Sequence, residues 1–108
     1  MLQIDEQKRQ KAVDSYKLVG TLPEKSYDDI TQIASFICGT PIALITMLDY
    51  NRNFLKSHYG VPFNESPREI SFCTHAIQTK DSVFIIPDAR LDDRFKNNPL
   101  VTGDLKAI

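Results

Sequence analysis

A chain of 108 residues has room for one domain and a single modest core, and its 42% apolar and 25% charged residues match ordinary soluble usage. The net charge of −1, with basic side chains scattered among acidic ones, excludes a nucleic-acid-binding footprint, and the longest apolar run, residues 41–48, is too short to span a membrane. Two cysteines cannot build a disulfide framework, no CxxC zinc spacing occurs, and the polar start MLQIDEQKRQKAVD is unlike a signal peptide, so the expected setting is the cytoplasm.

Residues 3–19 place Ile4, Ala12, Val13, Tyr16 and Val19 among many charges, which predicts a weakly amphipathic helix suited to packing on a neighbour or a second subunit. Thr21 and Glu24 read as a capping box around Pro23, with Ser26 a second cap candidate. Beyond them Tyr27, Ile30, Ile33, Ala34, Ile37 and Cys38 recur at helical spacing, and Gly39 then Pro41 supply the stop, predicting a helix over 24–38. PIALITMLD follows as a near-continuous apolar run, expected to be a strand buried on both faces. A turn over 49–53 leads to a second strand over 54–59, an antiparallel hairpin. Its alternation sends Leu55, Ser57 and Tyr59 to one side and Phe54, Lys56 and His58 to the other, and suits an edge or near-edge position.

Residues 60–65 read as a loop. Ser66-Pro67-Arg68-Glu69 has the form of a helix cap, a first-turn proline and a capping-box glutamate, and Ser71 can cap a second short helix over 72–79. A third strand is predicted over 82–86. The remainder is loop-like, with a helical turn over 92–95. Mixed helices and antiparallel strands indicate an α+β domain, yet the strand over 41–48 lacks a second neighbour, so the sheet looks unfinished.

The stretch SFCTHAI, residues 71–77, places Cys73 two positions before His75. Side chains two apart on a helix point about 200° from each other at about 3.6 residues per turn, which argues against a nucleophile–base dyad. A metal site needs further ligands, and only Cys38 and His58 remain of these types. A small thiol packed against a sheet, with a histidine orienting a loop near Asp88, is the plainer reading. Lining of a small-molecule pocket also stays open.

Three stretches together, DDITQIASFICGTPIALITMLDYNRNFLKSHYG, SPREISFCTHAI and IIPDARLDDRFKNNPLVTG, resemble bacterial GAF domains. The resemblance runs from about residue 16 to the end, and is nearest to the group found at the N-terminus of histidine kinases and diguanylate cyclases. It implies a GAF/PAS-like antiparallel sheet flanked by helices, of which residues 20–108 form the first two-thirds, before the last strands and C-terminal helix. Residues 1–19 are then a helix for dimer contacts. The implied function is a non-catalytic regulatory module of a cytoplasmic signalling protein, not an enzyme, which senses a small molecule or mediates dimerisation. Its partners would be a second copy, a small-molecule ligand and a kinase or cyclase output domain in the same or a partner chain. The pocket would lie between the sheet and the helix from Phe72, with Phe72, Cys73, His75, Asp88, Phe95 and Leu100 as lining residues. No cofactor is named. The alternative is a tetrapyrrole- or haem-binding photosensor or redox domain, or an enzyme acting through Cys73. In bilin-binding relatives the linking cysteine directly precedes histidine, whereas Thr74 intervenes here.

Overall fold

The computed structural model describes residues 5–79 and 83–102. Among these, four helices and three strands follow in the order α1 (Glu6–Tyr16), α2 (Lys25–Cys38), β1 (Ala43–Leu48), β2 (Arg52–Tyr59), β3 (Glu65–Pro67), α3 (Phe72–Ala76) and α4 (Pro99–Thr102). A single 3-10 turn, Arg68–Ile70, precedes α3. The fold is α+β and is consistent with a partial GAF/PAS-like architecture.

The strands form one antiparallel sheet in the order β1-β2-β3. The hairpin of β1 and β2 forms as expected, but their burial is reversed. β2 is the central strand, with residues 53–57 buried, while β1 lies at the edge and is mostly half-buried. The cause is β3. Its three residues, Glu65, Ser66 and Pro67, pair with Phe54, Asn53 and Arg52 and cover the far edge of β2. So short a strand carries no periodic signal. It also draws Ser66 and Pro67 out of the helix start expected there. Of the strand expected over 82–86, Ser82 lies outside the described residues, and 83–86 pair with no neighbour and form no strand. Phe84 and Ile86 instead pack against the core cluster of Ala89, Phe95 and Val101.

A β-bulge decides which side chains face which layer. Ile45 pairs with Ser57 and Thr46 with Leu55, so Lys56 is the extra residue. Lys56 and Ser57 therefore both turn towards α2, in place of the simple alternation expected. Ser57 Oγ donates to Asp28 Oδ1 at 2.6 Å and lies 3.0 Å from Thr31 Oγ1. Lys56 Nζ donates to Thr21 Oγ1 and to the Leu22 carbonyl, both at 2.7 Å, and pairs with Glu24 at 2.6 Å. The capping box is thereby dissolved: Glu24 occupies the N-cap position of α2 but makes no side-chain cap bond, because its carboxylate is spent on Lys56. At the other end of the strand Gly60 has φ +88°, and a Cβ there would sit 2.1 Å from the Pro41 carbonyl oxygen, so only glycine lets the chain pass.

α2 forms over almost the predicted range and ends at Gly39 with φ +64°. Its orientation differs from the apolar pattern. Thr31 and Ser35 are its buried residues, whereas Ile30, Ile33, Phe36 and Ile37 are exposed, Phe36 to 88%. α1 is capped by Asp5, whose carboxylate accepts from the Lys8 N–H, and buries no residue. Polar contacts tie it to the rest of the fold. Glu6 pairs with Arg9 at 2.8 Å and with Arg68 at 2.5 Å, Arg9 donates to the Leu48 carbonyl, and Gln10 donates to Asp49 at 2.6 Å.

The Lys56 clip and the α1 clamp make separate predictions. The Lys56 side chain is only 1% exposed with all its partners in place, so Lys56→Ala is expected to destabilise the fold by about 2–3 kcal/mol, read as a lower urea midpoint. Lys25→Ala, which removes only the exposed pair with Asp29, is the control expected to leave the midpoint unchanged. Bonds from Arg9 and Arg68 hold the Glu6 carboxyl well below the ordinary glutamate value of 4.5. A lowered folded value means that the clamp's contribution is complete above about 4.5 and is lost progressively as pH falls from there through the much lower folded value. Acidification is therefore expected to release α1 to proteolysis, and Glu6→Gln to release it at neutral pH. Equal protection of α1 in wild type and Glu6→Gln at pH 7 would refute the clamp.

Candidate functional site

The side chains that β2 does not turn towards α2 face α3, and between them lies a cavity of about 230 Å³. Asn53 and Leu55 of β2, with Ile42 and Leu44 at the start of β1, form its floor. Val61 and Phe63 close one side and Ser66 of β3 another, while Ser71, Phe72 and Cys73 roof it and Leu100 of α4 completes the wall. The lining is predominantly apolar and contains no charged side chain.

The roof is held by local hydrogen bonds that follow from its sequence. Ser71, in extended conformation, caps α3 as expected, its hydroxyl accepting from the Cys73 N–H at 3.1 Å. α3 itself stops at Ala76, short of the predicted end, and only turn-like bonds continue to Thr79. Thr74 Oγ1 donates to the Arg68 carbonyl at 2.6 Å, fixing α3 on the 3-10 turn. Asn98 ties the last wall in place. Its Nδ2 donates to the Ile70 carbonyl at 2.7 Å, and its Oδ1 accepts from the Leu100 N–H at 2.8 Å. Behind the roof the fully buried Phe95 ring meets Phe72 at 4.4 Å between centroids and the edge of His75 at 4.8 Å.

The six residues expected to line one pocket are thus divided. Phe72, Cys73 and Leu100 line the cavity. His75 and Phe95 pack with each other behind it. Asp88 closes its own turn: its carboxylate accepts from the Arg90 N–H at 3.0 Å and pairs with the Arg90 side chain at 2.9 Å, which holds its carboxyl below the usual carboxylate range. Asp92 repeats the arrangement with Arg94, which lowers it to about 2. The motif Asp-x-Arg occurs twice, and each time the carboxylate accepts from the backbone N–H and pairs with the side chain of the following arginine.

Cys73 and His75 diverge, as helical spacing requires. Cys73 Sγ lies 3.5 Å from Thr46 Oγ1 and accepts from Asn53 Nδ2 at 3.6 Å. The His75 ring rests on Phe95, and His58 lies 2.9 Å from Asn64 Oδ1 on the other side of the sheet. No group of three His, Cys, Asp or Glu side chains that could hold a metal occurs among the described residues.

The sequence reading passed over Asn53, Ser66, Val61 and Phe63. Asn53 is disguised by following directly on the turn-forming run Asp49-Tyr50-Asn51. β2 begins at Arg52, which places Asn53 inside the sheet, where it is only 5% exposed. Its Oδ1 has no hydrogen-bond partner.

Two other concavities are larger but differently equipped. A depression of about 520 Å³ at the hairpin turn is crossed by the ion pairs of Arg52 with Asp49 and Glu65. A second, of about 350 Å³, lies beside the 20–23 loop over Lys56, whose amine is already fully engaged.

No family model matches the chain. Over 100 residues, 93% of its length, it is 39% identical to a cyclic di-GMP phosphodiesterase of Pseudomonas aeruginosa. The chain spans only 17% of that relative's length. The expectation of a chain without enzymatic function is overturned by this relative, which is named as an enzyme. Among the described residues no helix is long and apolar enough to cross a membrane.

Proposed function

We propose that the chain is part of a bacterial cytoplasmic enzyme that breaks down cyclic di-GMP, and that within it this segment is the regulatory GAF domain. The carrying observation is the 39% identity to a phosphodiesterase through 93% of the chain. The domain binds a small effector in the cavity beneath α3, lined by Phe72, Cys73 and Leu100, and passes its occupancy to the phosphodiesterase machinery. Support for the sensory role comes from the cavity's position between the sheet and a five-residue helix that occupancy can order. Cyclic di-GMP itself suits the cavity poorly, since phosphates call for cations or a helix N-terminus and the lining offers no charge.

The same segment dimerises with a second copy through α1. In support, α1 buries none of its residues, and α2 leaves Ile30, Ile33, Phe36 and Ile37 uncovered.

The polypeptide that carries this segment is expected to hydrolyse cyclic di-GMP, and Cys73→Phe, which fills the cavity, to change the rate several-fold with the melting temperature checked in parallel. A polypeptide without hydrolysis overturns the enzymatic assignment; an unchanged rate in a folded Cys73→Phe protein overturns the regulatory one. Removal of residues 1–19 is expected to convert the dimer to monomer on size exclusion, and a persisting dimer would remove α1 from the interface.

A further inference from the structure

The 3-10 turn Arg68–Ile70 joins α1 to the roof of the cavity, two parts of the molecule far apart in sequence. Arg68 stands at its head. Its guanidinium forks onto the Glu6 carboxylate of α1, Nη1 to Oε1 at 2.5 Å and Nη2 to Oε2 at 3.2 Å. Nη1 also donates to the Asp49 and Tyr50 carbonyls of the hairpin turn, both at 3.4 Å. The backbone of the same residue serves α3. Its carbonyl accepts from Thr74 Oγ1 at 2.6 Å and from the Ser71 N–H at 3.0 Å, and its N–H donates to the Asn51 carbonyl at 3.4 Å. Ser71 in turn closes the 3-10 turn and caps α3.

Neither element is held firmly by itself: α1 buries no residue, and α3 has only five. An ion pair at a partly exposed site gains little once the entropy of fixing two long side chains is subtracted. A two-pronged pair also demands a defined orientation of the guanidinium plane. At Arg68 part of that cost is met in advance, because Thr74, Ser71 and Asn51 fix the backbone from which the side chain starts. The saving is mutual. With Glu6 engaged the Arg68 backbone is confined, and the Thr74 hydroxyl finds its acceptor where α3 needs it. We propose that Arg68 couples the docking of α1 to the ordering of α3, each element stabilising the other through this one residue. The ties from Arg9 to the Leu48 carbonyl and from Gln10 to Asp49 bypass Arg68, so the coupling is partial rather than all-or-none. It deepens the proposed sensory role, and rests on that reading only for the event that orders α3: filling the cavity then tightens the hold on α1, and release of α1 loosens the roof.

Amide hydrogen exchange of the whole chain, followed in peptides covering 6–16, 72–79 and, as a reference, 53–57 of β2, tests the coupling from both ends. Glu6→Gln is expected to speed exchange over 72–79 by about twofold to fivefold, the range of a partly exposed ion pair, although residue 6 touches nothing in α3. Thr74→Val, which removes the hydroxyl and keeps the shape, is expected to speed exchange over 6–16, and linkage makes the coupling the same in both directions. Thr74→Ser restores the donor and is expected to restore the protection of α1, which a role in packing alone would not do. Arg68→Lys keeps the charge without the fork; in that background Thr74→Val is expected to leave 6–16 unchanged. Exchange over 72–79 in Glu6→Gln equal to wild type overturns the coupling, as does unaltered exchange over 6–16 in a Thr74→Val protein whose α3 has loosened. Where Thr74→Val also loses protection over 53–57 it has unfolded as a whole, and the Glu6→Gln comparison decides. No ligand enters these measurements, so their failure leaves the effector reading in place, and that reading falls instead on an unchanged rate in Cys73→Phe.

Discussion

One extra residue in β2 governs the layering of the molecule. Because Lys56 is bulged out of the register with β1, Lys56 and Ser57 lie side by side beneath α2, and Asn53 and Leu55 are left to face α3. A regular strand would have sent Ser57 to the cavity side with Leu55, and the Asp28–Ser57–Thr31 contacts could not have formed. With the bulge, each polar group beneath α2 finds a partner within the layer: Ser57 with Asp28 and Thr31, Lys56 with Thr21, Leu22 and Glu24. The sheet is thus polar and satisfied on one face, and mostly apolar, with one buried unpaired acceptor on Asn53, on the other.

That division has a consequence for α2. Its polar residues Thr31 and Ser35 are the ones drawn to the sheet, so its isoleucines turn outward. Burying hydrogen-bonded hydroxyls costs little, whereas leaving Ile30, Ile33, Phe36 and Ile37 in water forgoes a substantial hydrophobic gain, about 25 cal/mol for each Å² of apolar surface. A helix with this arrangement is stable in a molecule where something covers the outer stripe. The apolar periodicity of α2 therefore does not mark the face that meets the sheet, which is the one carrying Thr31 and Ser35.

These features explain what could be read in advance and what could not. α2 was legible because its stop at Gly39 and its 3–4 residue spacing are local properties, and Ser71 because a cap needs only its own neighbours. The face of α2, the bulge and β3 were not legible, since each depends on partners distant in sequence. Glu24 shows the difference clearly. Three residues after Thr21 it has the form of a capping box, yet an amine 32 positions further on claims its carboxylate. Phe84 and Ile86 likewise have strand composition, but with no neighbouring strand among the described residues their side chains pack against the cluster of Ala89, Phe95 and Val101 instead. In the site, helical geometry correctly separated Cys73 from His75. Of the six residues that the resemblance implied, Phe72, Cys73 and Leu100 line this cavity, while Asn53 is disguised by its place next to the turn-forming run Asp49-Tyr50-Asn51.

The way the cavity is walled bears on how occupancy could matter. Its roof, α3, has only five residues, fewer than any helix holds in isolation, and rests on the Ser71 cap, the Thr74 bond and the Phe72–Phe95 contact. Its side wall hangs on Asn98. These are separate, individually weak attachments around a common space, so a molecule filling that space joins pieces that the chain itself joins loosely. A ligand at a hundred times its dissociation constant adds about 2.7 kcal/mol to the folded state. Against the roughly 5–15 kcal/mol that holds a small domain together, that is a large increment. It falls on the roof and side wall in particular, because the sheet is already satisfied through the Lys56 bulge. Under the proposed sensory role, occupancy would therefore act by ordering α3 and α4 over a sheet that need not move.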